Sequence, residues 1–242
     1  MRKLVIWAIL VLFFPIQVYG LNNEQIKKSY YQSYNYEKMG NYKDAIRALS
    51  PVYKAYPKGY TVNLRLGWLY YLDKNYANSI GHYQTARKVA PGAIEPLLGM
   101  SLPLMVQQKW TKVEKLMYEV VKKDYYNYYG NLRLSIALRM EKKYNLAEKV
   151  IRKMLSLYPT DVNFLVELGM ILKAKAQTKE ATAVFTSVLI LDPQNIVAKE
   201  YFQEQMKLNK QLPLKNGVPT KKHKGFSIFN FFKGGSYGGV HR

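Results

Sequence analysis

The stretch that sets the architecture is Tyr60–Gly92, YTVNLRLGWLYYLDKNYANSIGHYQTARKVAPG. It contains Leu66-Gly67 with Tyr70 three residues on, then a small residue at Ser79, an aromatic at Tyr83 and a proline at Pro91. Steps of 34 residues from Gly67 reproduce this pattern in both directions. Prolines fall at Pro57, Pro91, Pro159 and Pro193, with Tyr125 on the missing rung, and turn aromatics at Tyr42, Tyr76, Trp110 and Tyr144. Asn63-Leu64-Arg65-Leu66 recurs two steps later as Asn131-Leu132-Arg133-Leu134. Five contiguous units result, 26–59, 60–93, 94–127, 128–161 and 162–195.

The spacing has a physical cause. The eighth and twentieth positions of each unit meet where two antiparallel helices cross, and they hold Ser33/Ala45, Gly67/Ser79, Ser101/Val113, Ser135/Ala147 and Gly169/Ala181. Small side chains let the backbones approach; Val113 is the bulky exception and predicts looser packing in unit three. Larger residues at the twenty-fourth position (Leu49, Tyr83, Met117, Ile151, Phe185) fill the space between units. The closing prolines end each second helix, because proline cannot continue one. A helix of about 13 residues is marginal alone, so each unit needs its neighbours.

The pattern resembles the tetratricopeptide repeat, a 34-residue helix-turn-helix unit with W-x2-L-G-x2-Y, then A-x3-F, then P. In the quoted unit only the first position departs, Asn63 standing for Trp. The resemblance spans 26–195 and implies an all-α solenoid of five repeats. A final helix at 196–211 is expected to cap it, with Val197, Tyr201, Phe202 and Met206 on the covering side and Lys199, Glu200, Gln203 and Lys207 toward water. Pro103, inside the first helix of unit three, predicts a kinked or shortened helix.

Composition bounds the function. The 242 residues carry a formal net charge of +21, 48% hydrophobic residues, 22 tyrosines and no cysteine. Such charge implies attraction to anionic surfaces and is silent on fold; thiolate metal sites are excluded. No histidine or carboxylate cluster has metal-ligand spacing, and no nucleophile or phosphate-loop motif is present. No cofactor and no catalysis are expected.

The N-terminus reads as a secretory signal. Met1-Arg2-Lys3 precedes an apolar run from Leu4 to Phe14, and Val18-Tyr19-Gly20 supplies a cleavage site after Gly20. Eleven apolar residues fall short of the roughly 20 a bilayer span needs. A periplasmic or extracellular protein of the bacterial envelope is expected, with residues 21–25 as a short lead. Export disfavours nucleic acid as a partner.

In proteins of the resembled family the first helices line a concave groove that holds a protein or peptide segment. The groove positions carried onto this chain include Tyr30, Tyr34, Trp68, Tyr71, Leu102, Met105, Tyr129, Ile136, Arg139, Met170 and Lys173, with Leu64, Leu98 and Leu132 shared between groove and core. The strip is aromatic and aliphatic at first and gains cations in units four and five. The terminal-carboxylate clamp of one subclass is missing, since Tyr30, Tyr34, Glu95 and Gly99 stand at its positions, so an apolar or aromatic segment is the expected ligand.

Two alternatives remain open. A basic scaffold on anionic membrane or envelope polysaccharide would use Lys142, Lys143, Lys149, Arg152 and Lys153. The tail after Gln211 would add Lys221, Lys222, Lys224, Phe229, Phe231 and Phe232, and reads as a disordered, basic, glycine- and aromatic-rich end. A non-catalytic accessory subunit of an envelope enzyme or secretion complex is the other.

Overall fold

The computed structural model describes residues 21–211, with side chains to 208. The described residues form twelve helices and no strand. Unit one contains α1 (Asn23–Lys38), α2 (Tyr42–Ala48) and α3 (Ser50–Ala55). Then come four helix pairs: α4 (Tyr60–Leu72) with α5 (Tyr76–Val89), α6 (Glu95–Val106) with α7 (Trp110–Lys123), α8 (Tyr128–Met140) with α9 (Tyr144–Leu155), and α10 (Val162–Ala174) with α11 (Thr178–Leu191). α12 (Ile196–Gln211) closes the array. The chain is thus an all-α solenoid of helix-turn-helix units.

The split second helix of unit one has a local cause. Pro51 supplies no N–H to the preceding turn, and the chain tightens at Leu49, whose N–H bonds Ile46 O at 3.1 Å. Unit three behaves more mildly than its proline suggests. α6 continues past Pro103 to Val106 and spans 12 residues, against 13 in α4, α8 and α10.

The turn inside every unit is the same. Gly40, Lys74, Gln108, Lys142 and Ala176, 34 residues apart, all adopt positive φ, between 55° and 72°. The next amide closes each first helix, as in Asn75 N to Tyr70 O at 2.8 Å and Lys143 N to Leu138 O at 2.8 Å. Asn22, Asn127 and Asp161 cap the helices that follow them.

Each second helix packs on its own first helix and on the next one, while the first helices α4, α6, α8 and α10 touch in succession. The core runs through these contacts. Val113 is completely buried, and what changes in unit three is the partner of its small residue. Ser79 Oγ donates across the crossing to Gly67 O, and Ser135 Oγ to Ala147 O. Ser101 instead turns within its own helix to Leu98 O at 2.7 Å. The close approaches are demanding: a Cβ on Gly99 would lie 2.3 Å from the Tyr83 ring, and one on Gly169 2.7 Å from Phe185.

α12 covers the last face with Ala198 and Tyr201, whose ring lies 4.5 Å from Phe185 and whose hydroxyl donates to Thr178 O at 3.2 Å. Val197 and Phe202 pack beside them. Met206 does not join this side; it is 57% exposed, with no further helix among the described residues to cover it. Among the described residues no helix is long and apolar enough to cross a membrane. The signal segment and the tail, including Lys221, Lys222, Lys224, Phe229, Phe231 and Phe232, lie outside the described residues.

Candidate partner-binding groove

The layer of first helices carries the groove positions. Trp68 and Tyr71 lie with ring centroids 5.6 Å apart, and Tyr71 continues to Tyr76 at 6.2 Å. Both are half-buried, as are Tyr30, Leu102, Met105, Ile136 and Met170. Tyr34 and Tyr129 are exposed, at 50% and 56%. Leu64, Leu98 and Leu132 pack on the core, as do Met105, Met170 and one side of Trp68. The surface left for a ligand is therefore mostly aromatic.

The cations expected there are already occupied. Arg139 Nε reaches both Glu167 oxygens, at 3.0 and 3.2 Å, and Nη2 reaches Oε2 at 3.0 Å. Lys173 is ion-paired with Glu204 of the capping helix. Both residues tie their helices to a neighbouring element of the array. Glu167, also bonded by Ser135 Oγ, is nearly fully buried. Burial raises its carboxyl above the usual range despite Arg139.

The sixth position of the first helix carries the polar chemistry that groove offsets alone overlooked. Arg65 is buried, ion-paired with Glu37, bonded to Ser33 Oγ and stacked 3.8 Å above the Tyr34 ring. Trp68 Nε1 donates to the same Glu37 at 2.6 Å. Arg133 Nη1 donates to Leu98 O at 2.7 Å and Ser101 Oγ at 2.9 Å, and its guanidinium lies 5.2 Å from the Tyr129 ring. Burial lowers its pKa, while Tyr129, Tyr71 and Tyr83 act on it from around. The recurrent Asn-Leu-Arg-Leu was the signal for these positions.

The asparagines of that motif clamp the loops between units. Asn63 Nδ2 donates to Pro57 O and Gly59 O, and Asn131 Nδ2 to Tyr125 O and Asn127 O. Their Oδ1 atoms must then accept, from His82 Nδ1 at 2.8 Å and Lys153 Nζ at 2.6 Å. His82 stacks on Tyr70 and meets Tyr53 edge-on, and its burial lowers its pKa. No group of three histidines or carboxylates among the described residues could hold a metal ion.

The basic residues of unit four do not form a single-sign patch. Lys143 Nζ bonds Glu114 at 2.7 Å and Glu141 at 2.8 Å, and hydrogen bonding from Glu114 first, then from Lys143 and Thr111, brings the Glu141 carboxyl down to about 2. Arg152 pairs with Glu148 at 2.7 Å, and Lys153 is engaged by Tyr125 O and Asn131. Lys142 and Lys149 stay exposed. Lys149, Arg152 and Lys153 share a cleft of about 620 Å³ with Tyr126, Asn145, Glu148 and Ser156.

Comparison with known proteins agrees with the fold. A family model described as the tetratricopeptide repeat matches residues 32–94. No curated protein matches the sequence. Among solved structures, MamA of Desulfovibrio magneticus is 16% identical over 72% of this chain and 98% of its own, with a TM-score of 0.65. A tetratricopeptide repeat protein of Parabacteroides merdae is 14% identical over 78% of this chain and 75% of its own, with a TM-score of 0.69. A thermophilic protein of the same kind from Thermus thermophilus is 11% identical over 74% of this chain and 98% of its own, at 0.59. At such identities the likeness is one of fold: the tetratricopeptide repeat match over residues 32–94 lies within an array of helix pairs that keeps the same register, as in these solved structures.

Proposed function

We propose that this protein is an exported, non-catalytic adaptor of the bacterial envelope that holds an apolar or aromatic segment of a partner protein in the groove formed by its first helices. The carrying observation is the aromatic strip of Trp68, Tyr71, Tyr34 and Tyr129, which stays partly open although the residues beside it are buried. Aromatic side chains of this kind dominate binding at interfaces, and a contiguous apolar surface marks an interaction site. Export rests on the apolar leader ending at Gly20. The test is affinity capture from envelope fractions with the wild type and with Trp68→Ala/Tyr71→Ala. A partner lost with the double variant at any salt supports the groove; one retained equally refutes it. A mature chain beginning at Leu21 checks the export.

The cleft with Lys149, Arg152 and Lys153 favours a second reading, association with an anionic membrane or polysaccharide. Binding by exposed charge is screened within about 8–10 Å at moderate salt. Association that collapses between low and moderate ionic strength supports this reading over the groove.

A further inference from the structure

Arg65 and Arg133 stand 68 residues apart at the same position of units two and four. Each reaches back to the eighth-position serine of the preceding unit, Ser33 or Ser101. Their counter-charges differ. Arg65 is ion-paired with Glu37 and covered by Tyr34. The residues equivalent to Glu37 and Tyr34 in unit three are Met105 and Leu102. Among the described residues no carboxylate lies within ion-pair distance of Arg133.

A guanidinium has five N–H donors, and here the bonds to protein acceptors all come from Nη1. Nε and Nη2 are not sealed in without a partner, whereas Arg65 Nε is. Tyr71 and Tyr129 flank the site. A partly buried cation without a counter-charge is costly, and a carboxylate matches its fork in two parallel bonds.

We propose that Arg133 anchors a carboxylate of the bound protein segment, the partner supplying to unit four the acidic group that Glu37 supplies to Arg65 inside the chain. This deepens the groove reading and rests on it. The segment would be apolar or aromatic with one acid, from an Asp or Glu side chain or a free C-terminus.

The test uses two random twelve-residue peptide libraries, one with both ends blocked and one with free C-termini, selected on the full-length protein. Enriched peptides are expected to carry an Asp or Glu in the first library, or in the second to rely on the terminal carboxylate. Charge-assisted hydrogen bonds predict that replacing the acid by its amide weakens binding about tenfold or more. Arg133→Met should weaken the acid peptide equally and leave the amide peptide unchanged. Met105→Glu, which places a carboxylate where unit one has Glu37, should abolish the preference for the acid peptide and raise Tm. It keeps the test decisive if Arg133→Met does not fold.

Binding that needs Trp68 and Tyr71 but is indifferent to the acid and to Arg133 overturns this inference alone. Peptides indifferent to all of these, or no enrichment, overturn the groove reading as well. Loss of binding to phosphatidylglycerol vesicles, with peptide binding intact, in Arg133→Met overturns the inference in favour of a lipid anion.

Discussion

The Glu167 carboxylate on α10 is gripped by the Arg139 guanidinium on α8 through Nε and Nη2, at 3.0 to 3.2 Å, with both side chains largely buried. The pair ties unit five to unit four. Removing one partner strands a buried charge, which typically costs about 3–5 kcal/mol. Arg139→Met is therefore expected to destabilise the protein by about that much at pH 7, read by chemical denaturation. Glu167 would then have a folded pKa further above its unfolded value. Its folded form would bind the extra proton, so the deficit should shrink as pH falls toward 4.5. A deficit independent of pH would mean that the charge is not what matters there.

His82 predicts the opposite pH trend. Its pKa is lowered from 6.5 by burial, so the unfolded chain takes up the proton first. Stability is expected to fall as pH drops through 6.5 and to level off below the folded pKa. Thermal melts between pH 7.5 and 5 measure this, and His82→Gln, which keeps a donor for Asn63 Oδ1, should remove that part of the slope.

The Tyr83 ring sits against Gly67 and Gly99, where an added Cβ would come within 2.9 and 2.3 Å of it. Gly99→Ala overpacks this site and should cost about 1–3 kcal/mol. Gly81, on the same helix as Tyr83, has nothing within 4 Å of a built Cβ. Gly81→Ala should be neutral or stabilising, by up to about 1 kcal/mol of helix propensity. Equal losses at both positions would contradict the packing described.

Four of the five turn positions hold side chains in the left-handed region, and only Gly40 is a glycine. That conformation costs a non-glycine residue roughly 1–2 kcal/mol, partly offset by the greater freedom of glycine in the unfolded chain. Lys142→Gly and Ala176→Gly, in adjacent units, are each expected to raise stability by up to about 1 kcal/mol, read by chemical denaturation.

The architecture was legible because it depends on small residues and stop signals at fixed offsets. Gly67 and Ser79 mark a helix crossing, Pro91 a helix end, and the 34-residue step carries both through the array. The groove was legible in part. Trp68, Tyr71, Tyr34 and Tyr129 retain surface, while Arg139 and Lys173 are ion-paired with neighbouring helices. Their acids, Glu167 and Glu204, lie 28 and 31 residues along the chain, and no local offset reveals that pairing.

By itself the sequence determined the unit length, the helix ends and the all-α solenoid, since these follow from local sterics and a strict period. Only the tertiary structure decided which charged side chains have partners. Arg65, Arg133 and Arg139 look alike in sequence, yet one is neutralised by Glu37, one by Glu167, and one has Met105 where a carboxylate could stand. The distinction arises because charge pairing depends on which side chains neighbouring helices bring within a few ångströms, and stacking the units sets those distances.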